Sequence, residues 1–518
     1  MATPPNSKSK SSISLSSVVT MVAVAVLALA WNFLYPTITA STAGASKAAA
    51  AATCQQLKAA LGSIVTLPSD VQQYQTLSEE NWSQTAWQTP SCIALPQSTT
   101  DVQKLVSVLT KNNVPFAIRS GGHSPNPFDA NIDTGVLVSL DSLNQISYDA
   151  TSQLATIGPG ARWDAVYTAL DAYDVTVVGG RVMDVGVGGL TLGSGLSYLS
   201  DLYGMVCDNV VSFQVVLANA TIVEATATSH SDLFWALKGG TNNFGIVTQF
   251  KTLTYPIKQV WGGLQSFTLD QIPQILDALQ EYQNTPKKDL HANLVLNLGL
   301  TNATTVGILL TLVYLQPVER PAAFAPFYKL TPVFDGTQLQ TLHQLMSGFP
   351  TPPLPRWTWY TNSFQPTSDM MSQLSTLLST APEVNQLEAL QGMTLVATFQ
   401  PIDKNVAISG QARAGGNALG LQPITQTWFA LDVGWLNAND DAAAYKATAS
   451  LNSKIEQLAK NENVAVDYIF MNDASDEQDV IASYGKQNVK RLRAVQKIYD
   501  PTLVFRRLVP GGQKIPAW

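Results

Sequence analysis

The sequence predicts a mixed α+β protein with more than one domain. Its 518 residues exceed what a single hydrophobic core usually supports, and 46% of them are hydrophobic, enough to fill two or three cores. Short apolar stretches typical of strands alternate with amphipathic helical stretches over short connections. Together these features favour packed layers of helices and sheets.

The composition argues against a nucleic-acid-binding protein. Only 13% of the residues are charged and the net charge is −7, which leaves no basic surface for a phosphate backbone. Neither the three cysteines nor the four scattered histidines have the spacing of a metal site. We therefore expect no nucleic-acid partner and no bound metal, and the sequence does not define an oligomeric state.

The amino terminus carries a targeting signal. Lys8 and Lys10 precede an apolar run over 18–35, whose length lies between that of a signal-peptide core and that of a membrane-spanning helix. Residues 1–40 are therefore expected to act as a cleaved signal peptide or as a signal anchor. In either case the chain enters the secretory pathway, and the remaining chain is secreted or faces the lumen or the cell exterior.

Entry into the secretory pathway exposes cysteines to an oxidising environment. Cys54 and Cys92 can then pair, whereas Cys207 lies in an apolar stretch and is expected to be a buried free thiol. Three Asn-x-Ser/Thr sequons also agree with this route, and they begin at Asn81, Asn219 and Asn302.

The first elements after the Ala-rich linker are two helices and a strand. Residues 54–61 favour a helix, and a second helix is expected to begin with a cap at Thr100 and Asp101. Four apolar residues then follow with the spacing of one buried helical face, namely Val102, Leu105, Val106 and Leu109. A strand over 114–118 comes next.

Further strands and helices alternate on both sides of a boundary near Pro256, after which glycine clusters become rare. The expected helices of the first part are 231–237 and one that contains Trp163, Val166 and Leu170. The expected strands are 135–140, 154–157, 210–217, 221–225, 246–253, 294–300, 307–315, 394–399 and 428–435. We also expect a surface loop over 350–355 and a final helix from Ile481.

Glycine-rich turns follow several of these strands, as they do in dinucleotide-binding proteins. The Rossmann fingerprint fails, because Thr191 occupies the place of the third glycine after Gly186 and Gly188. A Gly-x-Ser-x-Gly elbow and a Gly-Lys-Ser/Thr phosphate loop are also absent from the sequence, which disfavours a hydrolase and a P-loop NTPase. Such turns are still suited to bind a pyrophosphate through backbone N–H groups.

The most informative turn follows the strand over 114–118 and reads Arg119-Ser120-Gly121-Gly122-His123-Ser124. Its arginine offers a fixed cation, its serines offer hydroxyl groups, and its glycines allow close approach of an anionic ligand. These neighbours favour a ligand-binding histidine over one that only completes the turn.

Further motifs accompany that turn in a fixed order. They are Gly158-Pro159-Gly160, Val185-Gly186-Val187-Gly188-Gly189 with Gly193-Ser194-Gly195, the segment 239–247, and Tyr484-Gly485 with 499–505. The set resembles the FAD-binding fold of vanillyl-alcohol oxidase and p-cresol methylhydroxylase. Within that fold the chain resembles the berberine-bridge-enzyme-like, FAD-linked oxidoreductases of fungi, over nearly everything after Cys54.

The resemblance implies a two-part FAD-binding domain of the p-cresol methylhydroxylase type and an α+β substrate domain whose sheet lies over the flavin. The implied division is 41–87 as linker and N-terminal segment, 88–257 as FAD-binding domain, 258–478 as substrate domain, and 479–518 as a C-terminal segment that returns to the FAD-binding domain.

FAD is the implied cofactor, held by a single covalent bond from His123 to the flavin 8α carbon. Many relatives add a cysteine link where this chain has Val182. Relatives with valine at the position of Val185 react with oxygen, which favours an oxidase. The implied cofactor-binding residues are Arg119, Ser120, Gly121, Gly122, His123, Ser124, Gly158, Val185, Gly186, Gly188, Gly189, Gly193, Gly245, Val247 and Tyr484.

The implied reaction takes hydride from a small organic substrate, such as a secondary-metabolite intermediate, with oxygen as the second substrate and a base that accepts a proton. Asp432, in the otherwise apolar strand over 428–435, is the expected base, because apolar surroundings raise the pKa of a carboxyl group. The alternative for Asp432 is a solvent-facing place on an edge strand. Tyr360 and Tyr484 are further candidates.

Two other functions stay open at this point. A carbohydrate oxidase would use Trp357 and Trp359 as a stacking platform in an open groove. A flavin-templated cyclase, or a flavoprotein without catalytic activity, would need no base near the flavin and would release no peroxide.

Overall fold

The computed structural model describes residues 46–300, 306–348 and 353–517. The predicted targeting segment, the sequon at Asn302 and part of the predicted loop over 350–355 lie outside the described residues. Within the described ranges, no helix is both long and apolar enough to cross a membrane. Helices and three sheets make up this part of the chain, so the predicted α+β class is confirmed.

The first sheet holds the strand that leads into the histidine turn. Its strands are β1 (Val65–Thr66), β2 (Cys92–Ala94), β3 (Phe116–Arg119) and β4 (Val136–Ser139), in the spatial order β1-β2-β4-β3. β2 and β3 run parallel to β4, whereas β1 is antiparallel to β2. Since parallel neighbours need a crossover connection, the helix Thr99–Asn112 lies between β2 and β3 in the chain.

The helix Thr99–Asn112 buries the apolar face that the sequence predicts, made of Val102, Leu105, Val106 and Leu109. Its predicted cap is wrong, because the capping residue is Ser98 and not Thr100. The Ser98 hydroxyl accepts a hydrogen bond of 3.2 Å from the backbone N–H of Asp101. A serine in this place satisfies one of the backbone donors that a helix start leaves unpaired.

The expected disulfide joins Cys54 to Cys92, with sulfur atoms 2.10 Å apart. It fixes an N-terminal helix over 46–61 to strand β2. Cys207 is a buried free thiol, as expected.

The second sheet is antiparallel and follows the first in the chain. Its strands are β5 (Ile146–Asp149), β6 (Leu154–Ile157), β7 (Thr176–Val177), β8 (Val210–Leu217), β9 (Ile222–Thr226) and β10 (Gly245–Tyr255). The spatial order is β5-β6-β10-β8-β9, and β7 pairs with β10. Apolar residues of the helices Trp163–Asp171 and Ser231–Leu237 share one core with this sheet.

The third sheet is the largest, and all of its strand pairs are antiparallel. Its strands are β11 (Val260–Thr268), β12 (Ala292–Gly299), β13 (Val306–Tyr314), β14 (Phe334–Asp335), β15 (Gln338–Gln340), β16 (Arg356–Phe364), β17 (Thr394–Ile402), β18 (Gln426–Trp435) and β19 (Ala465–Val466). The order is β14-β11-β13-β12-β17-β18-β16-β19, with β15 also paired to β11.

The two faces of the third sheet have different partners. One face packs on the helices Ile272–Gln283, Ser368–Thr380 and Asp441–Asn461 to form a separate core. Side chains alternate along a strand, so the other face of β18 carries Asp432 and Trp428. Trp428 belongs to the core of the second sheet, which shows that this face is turned toward the second sheet.

The end of the chain returns to the first two sheets. The helix Lys486–Tyr499 packs into the core of the second sheet, and Val504–Arg507 packs into that of the first. A buried ion pair of 2.7 Å joins Lys288 to Asp201 and so connects the segment before β12 to the helix Ser200–Tyr203. The remaining α-helices of the described chain are Val71–Ser78, Val187–Leu192, Leu342–Ser347, Pro382–Glu388 and Lys404–Ala412.

Candidate active site

A cavity of about 360 Å³ lies where all three sheets and the end of the chain meet. The histidine turn after β3 and the glycine-rich loop before helix Val187–Leu192 form one part of its wall. Trp359 of β16, the segment 470–474 and the C-terminal residues Gly512 and Gln513 complete it. The cavity therefore depends on parts of the chain that are far apart in sequence.

Most of the predicted cofactor-binding residues line this cavity. Those that do are Ser120, Gly121, Gly122, His123, Ser124, Val185, Gly186, Gly188, Gly189, Gly193, Gly245 and Val247. Arg119, Gly158 and Tyr484, together with the predicted bases Asp432 and Tyr360, are not among the lining residues.

The histidine turn and the glycine-rich loop are in direct backbone contact. A Cβ atom on Gly121 would lie 2.5 Å from the backbone nitrogen of Gly186, and one on Gly186 would lie 2.3 Å from that of Gly121. Ser120 reinforces the contact, since its hydroxyl accepts a 3.1 Å hydrogen bond from the N–H of Gly188. Only glycine fits at this crossing, because neither backbone can move away without separating the two turns.

Gly158 contributes by packing and not by contact with the cavity. A Cβ atom there would lie 2.0 Å from the carbonyl oxygen of Leu143. The close approach holds the turn that places Pro159 at the cavity wall. The Pro159 carbonyl in turn accepts a 2.5 Å hydrogen bond from Ser120.

Arg119 points away from the cavity, which corrects its expected role as a cation for the ligand. Its guanidinium is 1% exposed and pairs with Glu80. It also donates to the carbonyl of Leu77 at 2.7 Å and to Oδ1 of Asn81 at 3.2 Å. Burial lowers the pKa of Arg119, and Glu80 opposes that effect. The arginine therefore fixes the N-terminal segment against β3.

Asn81 is buried by the same contacts. Its side chain accepts from Arg119 and from Nδ2 of Asn131, the latter at 3.1 Å, and the residue is 2% exposed. A glycan on Asn81 is incompatible with this packing, so this sequon gives no support to the secretory route. Asn219 lies exposed in the turn between β8 and β9.

His123 is half-buried, and its ring lies flat against an aromatic side chain. The Trp82 ring stacks on it with centroids 4.4 Å apart and planes 10° apart, and Trp359 lies parallel at 6.4 Å. Its Nε2 atom is buried and has no hydrogen-bond partner among the described residues. Burial lowers the pKa of His123 to about 4, while Asp184 acts in the opposite direction. The imidazole is therefore neutral at physiological pH and offers a lone pair.

Val182 and Val185 both line the cavity beside the histidine turn. Val182, where the resemblance implies a cysteine in many relatives, is 44% exposed even though it is apolar. An apolar side chain here supplies no nucleophile for a second covalent bond.

Two carboxyl groups lie on the third-sheet side. Asp432 is on β18, which is flanked by β16 and β17 and is not an edge strand, so its alternative place at a solvent-facing edge is ruled out. Its Oδ2 accepts a 3.0 Å hydrogen bond from Thr398. Burial, followed by the charge of Asp473, raises the pKa of Asp432 to about 7. A carboxyl group with this pKa can both accept and release a proton near neutral pH.

The sequence did not indicate Asp473, Arg181 or Gln400. Asp473 and Arg181 line the cavity, and Gln400 Nε2 donates to Asp473 at 2.7 Å while its Oε1 accepts from Arg181. Burial raises the pKa of Asp473, and Arg181 opposes the shift. Arg181 directly precedes Val182, the position that the family resemblance singled out, so the sequence offered a reason to consider Arg181 as a site residue. Asp473 carries no local signal.

The two tyrosine candidates lie outside the cavity. Tyr360 donates to Glu477 at 2.6 Å and Tyr484 donates to the carbonyl of Gly239 at 3.0 Å. Burial raises the pKa of both hydroxyls above the ordinary tyrosine value. Both protons are therefore engaged in holding the fold.

The lining fits a flavin dinucleotide. The buried Nε2 of His123 has no hydrogen-bond partner in the described chain and is available to a ligand in the cavity. Gly189 has no protein atom within 4 Å of the place of a Cβ, so its backbone faces open space beside the glycine turns. Ile118, Leu140 and Ile246 form an apolar part of the wall, suited to a planar ring.

Known proteins identify the family. Residues 90–226 match the FAD binding domain family model. The bifunctional solanapyrone synthase of Alternaria solani is 36% identical over 464 residues, covering 89% of this chain and 88% of that enzyme. The chain belongs to the family of fungal FAD-linked oxidoreductases. An FAD-dependent monooxygenase of Arthrobotrys oligospora, another relative, is 38% identical over 85% of each chain.

The fold of this FAD-linked oxidoreductase is also that of solved flavoenzymes. A glucooligosaccharide oxidase of Acremonium strictum, described as carrying a 6-S-cysteinyl, 8α-N1-histidyl FAD, superposes with a TM-score of 0.71. Its identity is 19%, and the match covers 85% of this chain and 95% of that one. The similarity shows the p-cresol methylhydroxylase type of fold.

Proposed function

We propose that this FAD-linked oxidoreductase is an oxidase of a small organic molecule, a secondary-metabolite intermediate, and that it holds FAD through one covalent bond to His123. The observation that carries the proposal is the neutral, unpaired imidazole nitrogen in the turn that lines the cavity. Val182 supports a single bond, because it offers no second nucleophile.

Bound FAD would accept a hydride from the substrate and pass the two electrons to oxygen, which gives hydrogen peroxide. The protein contributes binding and proton transfer. The two glycine turns hold the dinucleotide through backbone N–H groups, and the apolar residues Ile118, Leu140 and Ile246 exclude water from one end of the site.

The proton released by the substrate is accepted by the carboxyl pair Asp432 and Asp473. Asp473 is at the cavity wall and Asp432 is next to it on β18, with a pKa of about 7. Because the two groups interact, the pair is expected to titrate as a unit. Thr398 and Gln400 orient the two carboxylates through their hydrogen bonds.

A carbohydrate oxidase is the less favoured alternative. Such an enzyme would present an open tryptophan platform to a sugar ring. Trp357 is 4% exposed and Trp359 is turned to the cavity beside His123, so the two do not form an open surface. The cyclase and non-catalytic alternatives differ from our proposal in releasing no peroxide.

We also propose that the chain matures in the secretory pathway, secreted or anchored by its N-terminal segment. The Cys54–Cys92 disulfide supports this proposal, because such bonds persist in oxidising compartments.

The test is covalent retention of flavin. Purified protein is precipitated with acid, washed and examined for yellow, fluorescent flavin in the pellet. We expect flavin to stay with the wild type and to be released from H123A. Equal retention in H123A would overturn the covalent bond to His123. Peroxide detection across a panel of small organic substrates and oligosaccharides then tests the oxidase reaction, and the absence of peroxide with every substrate would contradict it.

A further inference from the structure

Residues 79–87, here called the Trp82 segment, connect the histidine turn to the third sheet. The backbone N–H of Trp82 donates to the carbonyl of Gly122 at 3.0 Å. One residue later, the Ser83 hydroxyl accepts a 3.0 Å hydrogen bond from the backbone N–H of Trp357 on β16. The position of the Trp82 ring is therefore fixed by its own backbone from both sides.

Four aromatic rings lie nearly parallel at this junction. Trp82 is in the middle, with centroid distances of 4.4 Å to His123, 5.2 Å to Trp357 and 5.8 Å to Trp359. The corresponding interplanar angles are 10°, 25° and 22°. The closest and flattest contact is the one with the imidazole, so Trp82 has more control over the orientation of His123 than any other ring described.

The same contact keeps the imidazole uncharged. An indole ring at 4.4 Å removes water from one face of His123, and burial disfavours the charged form. Asp184 favours the charged form and Arg162 disfavours it, but burial has the larger effect. A neutral, fixed imidazole is the form that reacts as a nucleophile.

We propose that Trp82 is the positioning residue for covalent attachment of the flavin: its ring fixes the plane of the His123 imidazole and shields it from water while the bond forms. This inference rests on the proposed bond between His123 and the flavin 8α carbon. Trp82 itself forms no bond to the cofactor.

The attachment step balances with oxygen as the oxidant. The new carbon–nitrogen bond replaces a C–H bond of the 8α methyl group and the N–H bond of the imidazole. Two protons and two electrons are released, and oxygen takes them up as hydrogen peroxide. Trp82 changes the rate of this step and leaves its products unchanged.

The experiment compares the rate of covalent attachment in matched variants. Apoprotein is produced in riboflavin-starved cells and mixed with FAD in air, and samples taken over time are denatured and separated by gel electrophoresis. The flavin fluorescence of the protein band reports attachment and is independent of enzyme turnover. The variants are W82A, W82L, W82F and, as control, W87A. Trp87 belongs to the same segment and donates to the carbonyl of Asn81, but it does not stack on His123.

We expect W82A and W82L to attach flavin at least tenfold more slowly than the wild type, while W82F and W87A stay within about threefold. W82L fills most of the space without a ring, so it remains informative if W82A does not fold. Wild-type rates in W82L would overturn the proposal, and so would an equal loss in W87A, which would assign the effect to the segment as a whole. Failure of the proposed function gives a different result, since H123A would then carry acid-stable flavin.

Discussion

Replacing Asp432 by asparagine should make the protein more stable at pH 8 and have a clearly smaller effect at pH 4.5. The pKa of this carboxyl group is raised from 3.8 to about 7 in the folded protein, chiefly by burial. The folded state therefore binds the proton more tightly than the unfolded chain. The free energy of unfolding of the wild type must fall as the pH rises from about 4 to about 7, and it is constant above that range.

The size of the effect follows from the shift. Three pKa units correspond to about 4 kcal/mol. The side chain is half-buried and keeps some contact with water, which screens its charge, so we expect about 2 kcal/mol. Asparagine has nearly the same shape as the protonated acid and cannot ionise, so D432N avoids this loss at pH 8.

Urea unfolding followed by tryptophan fluorescence measures the difference, at pH 4.5 and pH 8, on samples with equal flavin content. The exposed Asp277 supplies the control, because D277N removes one negative charge from the surface. The reasoning is refuted if D432N is less stable than the wild type at pH 8, or if its advantage is the same at both pH values. If Asp432 also accepts the substrate proton, the same variant should lose about 10²- to 10⁴-fold in turnover.

Two further predictions concern the first sheet and the glycine crossing. C54A/C92A opens a loop with a sequence separation of 38 and should lower the free energy of unfolding by about 4 kcal/mol; reductant should bring the wild type to the same value and leave the variant unchanged. G186A pushes two backbones apart and should cost about 1–3 kcal/mol and reduce the flavin-to-protein absorbance ratio. The control for G186A is G189A, because the added methyl group there meets no other part of the protein within 4 Å. The melting temperatures of the two apoproteins are compared. Equal melting temperatures for G186A and G189A would contradict the tight backbone contact between Gly121 and Gly186.

Local patterns were enough to predict much of the fold. The strands Leu154–Ile157 and Val210–Leu217 and the helix Ser231–Leu237 have the predicted bounds, because their apolar runs end at clear turn residues. The strand predicted over 394–399 extends to Ile402, since backbone pairing with its neighbours continues past the apolar run.

The candidate site was predictable where it is made of contiguous glycine turns and unpredictable where it depends on distant contacts. Gly121, Gly122 and His123 line the cavity because the turn that presents them is local. The direction of the Arg119 side chain is decided by Glu80, on a separate segment of the chain. Asp473 lies at the cavity because the third sheet packs against the second. No residue spacing in the sequence predicts that contact.

The cavity wall includes Gly512 and Gln513, which lie far along the chain from the histidine turn on the same wall. The Gly512 N–H donates to Asp129 at 2.9 Å, and the Gln513 carbonyl accepts from Asn243 at the same distance. A ribosome makes these residues long after the histidine turn. The cofactor pocket therefore cannot be complete on a nascent chain that has not yet reached Gln513, and full closure of the pocket around FAD has to wait until that part of the chain has been made.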